Sequence, residues 1–164
     1  MRFEKDIRYA LLALLIFVTE ASFGKYIAVS GAVPMLTFSF LIVCSVKEND
    51  LSYVMALAVI LGAVSDVLHG HGFGAYTLSF AFSAFYTFKL KNAIFSSELL
   101  FLIIDAFLLT FLVQIFYMIT HIGNIGSGNF LRCVWSLVLP QAVYNTLICC
   151  LFYYIDSRIF KRRR

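Results

Sequence analysis

Charge is so sparse in this sequence that it comes in islands. No Asp, Glu, Lys or Arg occurs in 26–46, 51–65, 67–88, 106–131 or 133–155, and a further free run, 9–19, continues apolar beyond Glu20. Spanning helices need about 20 apolar residues to cross a hydrocarbon core of about 30 Å. Six of them would consume roughly 120 of the 164 residues, leaving short loops and two short tails. The composition agrees, with 62% hydrophobic and only 13% charged residues, against about 25% charged in a soluble domain. Those proportions exclude a separate soluble domain, a disordered chain and a disulfide-stapled secreted module. The expected fold class is an all-α polytopic membrane helix bundle with six transmembrane helices, forming a single integral membrane domain over 1–164.

The islands of charge and the glycines place the helices at 8–28, 33–46, 51–69, 73–90, 99–121 and 133–156. The second is short, and Pro34 at its start suits a first helical turn, where no backbone N–H is needed. Glycines mark three of the connections: Gly31, then Gly70, Gly72 and Gly74, then Gly123, Gly126 and Gly128. The first span follows a segment that carries Glu4 and Asp6 as well as basic residues. It ends without a clear small-residue cleavage site, so it reads as an anchor rather than a removed leader.

With both termini cytoplasmic, Arg2, Lys5, Arg8, Lys47, Lys89, Lys91, Arg158, Lys161, Arg162, Arg163 and Arg164 all fall inside. Only Lys25 and Arg132 do not. That asymmetry matches the enrichment of Lys and Arg in cytoplasmic loops and requires an even number of spans. The net charge of +4 therefore encodes orientation rather than a nucleic-acid partner, and it also favours anionic lipid at the inner surface.

Ionisable groups inside a bilayer are costly, so each one asks for a partner. Lys25 belongs near the outer boundary and Asp105, seven residues after Glu98, near the inner one. Glu20 lies deeper and requires a donor from another helix, which the sequence does not identify. Asp66 is the most informative. Gly62, Asp66 and Gly70 are four apart, on one helical face that Ala58 extends. Small residues at that spacing let helix backbones approach closely. Three readings of Asp66 stay open: packing and hydrogen bonding, a proton- or ligand-linked role, and metal binding through the D-x-x-H-x-H run of Asp66, His69 and His71.

The last span carries Pro140, Gln141, Tyr144 and Asn145, and the fifth repeats the four-residue polar spacing with Thr110 and Gln114. Pro140 removes a backbone hydrogen bond and kinks a helix. The stripes imply an internal polar interface or cavity. Cys44, Cys133, Cys149 and Cys150 form no C-x-x-C pair and read as small packing residues. No nucleophile elbow, zinc helix or phosphate loop is present, so the chain reads as no enzyme and needs no cofactor.

At these residues the chain resembles the bacterial rod shape-determining MreD family. The segment Leu61-Gly62-Ala63-Val64-Ser65-Asp66-Val67-Leu68-His69-Gly70, followed by Gly74, is similar to that family's glycine–apolar–aspartate motif and turn. Leu139-Pro140-Gln141-Ala142-Val143-Tyr144-Asn145 is similar to its last helix, and Pro34 to the opening of its second. Family members often carry Asp or Asn after that proline, whereas Met35 and Leu36 follow here. The resemblance implies a non-enzymatic component of the cell-elongation complex in the bacterial cytoplasmic membrane. Its partner would be MreC and, indirectly, MreB and the peptidoglycan synthases, with the lipid bilayer around it. It also implies a fold like the S-components of energy-coupling-factor transporters. The alternative function is accordingly a vitamin-type S-component that binds a small solute.

Overall fold

The charge-free runs fold as helices. The computed structural model describes residues 2–24, 26, 28, 33–69, 74–91, 97–120 and 130–161. It holds six helices, with no strand among the described residues. They are α1 (Arg2–Phe23), α2 (Leu36–Lys47), α3 (Leu51–His69), α4 (Ala75–Leu90), α5 (Glu98–Thr120) and α6. The last runs on from a turn, Phe130–Cys133, through a π-helical segment, Val134–Val138, into Leu139–Lys161. Among the described residues three stretches are long and apolar enough to cross a membrane: Leu51–Leu68, Glu98–Ile119 and Val134–Arg158.

Four of the expected boundaries hold to within a few residues, and two need correction. α1 starts at Arg2 and ends at Phe23, rather than running over 8–28. Its first turns are charged, so hydropathy alone misses them. Pro34 is not in the first turn of α2: Met35 is the N-cap and Leu36 the first helical residue, so the proline stands just outside. The glycines Gly31, Gly70, Gly72, Gly123, Gly126 and Gly128, together with Lys25 and His71, lie outside the described residues.

α2 is the centre of the bundle. It touches α1, α3, α4, α5 and α6, and every residue in 37–46 is buried. Its sequence is apolar on all sides, the pattern of an enclosed helix. Phe38 packs against Phe80 of α4 with ring centroids 5.0 Å apart, and Phe40 meets Phe152 of α6 edge-on at 6.3 Å. The other helices turn apolar faces outward. On α5 the stripe Leu100, Ile104, Leu108, Leu112 and Phe116 is exposed, while Leu102, Ala106, Leu109 and Val113 are buried. An apolar exterior of this kind suits lipid and not water.

Pro140 shapes α6. It cannot donate to the carbonyl four residues earlier, and the π-helical turn lies immediately before it, where Leu139 N–H bonds Val134 O. The expected kink is therefore a wide turn inserted ahead of the proline, a recognised way of absorbing a break in the hydrogen-bond ladder.

Candidate functional site

A helix leaves its first four N–H groups without partners. Where a helix starts at a charged connection, this chain supplies the acceptor locally. Asp50 Oδ1 accepts from Ser52 N at 3.0 Å at the start of α3, and Ser97 Oγ from Leu100 N at 3.5 Å in α5. The starts of α2 and α4 differ. The N-caps of α2 and α4 are Met35 and Gly74, neither of which caps with a side chain. Their acceptors come from other helices.

Asp66, on α3, closes the start of α4. Oδ2 accepts from Gly74 N at 3.0 Å, Thr77 N at 3.1 Å and Thr77 Oγ1 at 2.6 Å, and Oδ1 accepts from Tyr76 N at 2.8 Å. The carboxylate is 4% exposed. It meets the positive end of the α4 dipole, so charge, geometry and burial agree. Two glycines make the approach possible. Gly74 adopts φ +102°, a left-handed backbone that favours glycine. Gly62, one turn before Asp66, lies against α4: a β-carbon there would fall 2.5 Å from Thr77 Cα. The small-residue face of α3 is thus a backbone-to-backbone seam against the turn that Asp66 caps. The side chain of His69 and all of Gly70 and His71 lie outside the description, and no cluster of three or more metal-ligating side chains occurs among the described residues.

The start of α2 gathers the remaining polar candidates. Glu20 of α1, 7% exposed, accepts from Thr37 N at 2.7 Å through Oε2. Asn145 of α6, fully buried, accepts from Met35 N at 2.9 Å through Oδ1. Gln141, one turn earlier, donates through Nε2 to Val33 O at 2.7 Å, and Gln114 of α5 donates through Nε2 to Met35 Sδ at 3.3 Å. Pro34 sits in the middle of this short segment. Tyr144 and Pro140 are half-buried on the same stretch of α6. Glu20, Gln114, Gln141 and Asn145 thus converge from three helices on one short non-helical segment and the start of α2, and the donor that Glu20 required is the backbone of α2. The Thr110 hydroxyl, buried, has no hydrogen-bond partner among the described residues.

Physical necessity explains the arrangement. The 12 residues of α2 reach only about 18 Å at 1.5 Å per residue, against a hydrocarbon core of about 30 Å. Its C-terminus runs into the charged Lys47–Asp50 connection, which leaves the N-terminus buried, far from water. Non-helical backbone at that depth is tolerated only where protein encloses and satisfies it. The other end is capped as well: Lys91, just past α4, donates to Glu48 O and, at 3.4 Å, to Ser45 O. A cation at a helix C-terminus complements the dipole. Burial pulls the Lys91 ammonium below the usual lysine range, against the opposing pull of Glu48 and Glu98.

Several of these residues carry no signal in the sequence. Thr37, Thr77 and Lys91 are ordinary at their positions, and so is the bond from Thr87 Oγ1 to Asp105 at 2.6 Å, which joins α4 to α5. One clue was available: a helix that opens on Gly74 or Met35 brings no acceptor of its own, so one has to come from elsewhere.

Fold and site define a class, a polytopic helical membrane protein built around a short enclosed helix whose two ends are capped by side chains of its neighbours. The model of the family described as rod shape-determining protein MreD matches residues 4–161, and the chain belongs to that family. It is a rod-shape-determining membrane protein. Comparison with curated proteins and with solved structures gives no match.

Proposed function

We propose that this protein is a non-enzymatic scaffold of the cell-elongation complex, a single domain over 1–164 seated in the bacterial cytoplasmic membrane with both termini inside. It binds the transmembrane and membrane-proximal parts of MreC and, through MreC, acts on MreB and the peptidoglycan synthases. Family membership over residues 4–161 carries this reading. The geometry supports the structural role of the polar residues. Asp66 spends both oxygens on α4, while Glu20, Gln114, Gln141 and Asn145 are engaged with Val33, Met35 and Thr37. A bundle braced in this way presents fixed apolar faces to a partner helix, and Gly62, Gly74 and Pro34 serve the bracing.

Affinity purification of the full chain in mild detergent, with identification of partners by mass spectrometry, tests the proposal. Recovery of MreC is expected. Recovery of transporter ATPase subunits with a bound small solute, and no MreC, would overturn it in favour of the S-component alternative.

A further inference from the structure

The bundle is not closed on every side. α1 packs on α2, and α6 packs on α2 and α5, so a furrow of about 180 Å³ stays open between α1 and α6 with α2 as its floor. Leu12 and Ile16, Val43, and Phe152 and Ile155 supply its apolar walls from the three helices. It holds about six groups the size of a water or methylene, at roughly 30 Å³ each. A helix with its side chains is about 10 Å across, too wide for such a slot. A flexible hydrocarbon chain is not.

One end of the furrow is polar. Tyr9, Lys47 and Asp156 form its rim. Asp156 is already answered there: Lys47 Nζ stands 3.8 Å from Oδ2, and Tyr9 OH donates to Oδ1 at 3.4 Å. Lys47 also donates to Ser157 Oγ at 2.8 Å and lies 4.0 Å from the centre of the Tyr153 ring. The α6 wall then leads toward the most basic part of the chain. The first turns of α1 carry Arg2, Lys5 and Arg8 against Glu4 and Asp6, whereas α6 carries Arg158 and Lys161 in its last turns, and Arg162, Arg163 and Arg164 follow in the sequence. Arg158 lies against the ring of Tyr154, at 4.8 Å. An apolar slot thus opens beside the basic end of α6.

We propose that this furrow binds an anionic phospholipid, with one acyl chain lying between α1 and α6 over Val43 and the phosphate held at the basic end of α6. Burial of methylene groups gives the chain its place, and each nearby Lys or Arg adds about 1 kcal/mol of attraction for an anionic headgroup.

The test uses the full-length protein, purified in mild detergent, stripped of lipid and offered an equal mixture of phosphatidylglycerol and phosphatidylcholine with identical acyl chains. Native mass spectrometry should find one phosphatidylglycerol retained per chain, in excess over phosphatidylcholine. Leu12→Trp, which fills the slot from its α1 wall, should abolish that retention. Arg158→Gln, an exposed change that leaves the fold alone, should lower the preference for phosphatidylglycerol roughly fivefold, the factor that corresponds to about 1 kcal/mol. Equal retention of the two lipids would overturn the proposal. So would phosphatidylglycerol retention untouched by Leu12→Trp, which would reduce the effect to attraction by the basic tail. A photo-crosslinker at Leu12 that captured a protein instead of lipid in cells would overturn it as well.

Discussion

Asp66 accepts four hydrogen bonds, three of them through Oδ2. The substitution Asp66→Asn keeps the shape but turns one acceptor into a donor facing N–H groups, and Asp66→Ala removes all four bonds. An orphaned buried donor costs about 1–3 kcal/mol, although hydrogen bonds measured inside membrane proteins fall at the low end. Stability should therefore fall in the order wild type, Asn, Ala, with a loss of about 2–4 kcal/mol for Ala, read from denaturation in mild detergent. Glu20→Gln should cost less than Glu20→Ala, because an amide oxygen can still accept from Thr37 N. That Asp66 mattered was legible from its isolation in a charge-free run beside Gly62. What it does was not, because its partners lie eight to eleven residues further on, across a turn, and are mostly backbone N–H groups that every residue possesses.

The seam between α3 and α4 is a property of two helices together. Gly62→Ala places a methyl group 2.5 Å from Thr77 Cα, and because backbone cannot rotate away, α4 has to move. Overpacking of this kind costs about 1–3 kcal/mol, and Gly62→Leu should prevent accumulation of the folded protein, as a membrane-fraction immunoblot would show. Lys91→Met tests the other end of α2. It leaves the apolar stem and removes the donor to Glu48 O and Ser45 O, so it should destabilise the bundle by about 0.5–1.5 kcal/mol in the same denaturation experiment. The helices themselves were legible from charge and glycine placement, with errors confined to charged or capped ends such as Arg2–Arg8 and Pro34. The central place of α2 was not legible. A helix apolar on every side carries no directional information, and only its shortness hinted that other helices enclose it.

Taken whole, the molecule packs five helices about one too short to reach both surfaces, and Glu20, Gln114, Gln141 and Asn145 gather where that shortness would otherwise leave backbone unsatisfied. The membrane character was readable from the 62% hydrophobic composition and its charge-free runs, and the family from a few polar exceptions. The convergence of Glu20, Gln114, Gln141 and Asn145 on one segment was not, since it arises from how four helices are arranged. If bracing is the purpose of these residues, Asp66→Ala should weaken recovery of MreC only in step with the loss of folded bundle. Detergent co-purification normalised to folded protein should then show little change.

Amide hydrogen exchange of the protein in lipid nanodiscs, resolved to single residues, reads the capping of one helix by another most directly. Asp66→Ala should speed exchange at Gly74, Tyr76 and Thr77 by about tenfold or more, the equivalent of 1.4 kcal/mol, and leave Thr37 slow. Glu20→Ala should do the reverse. Unchanged exchange at these amides, or uniform acceleration along the whole chain in both variants, would contradict it.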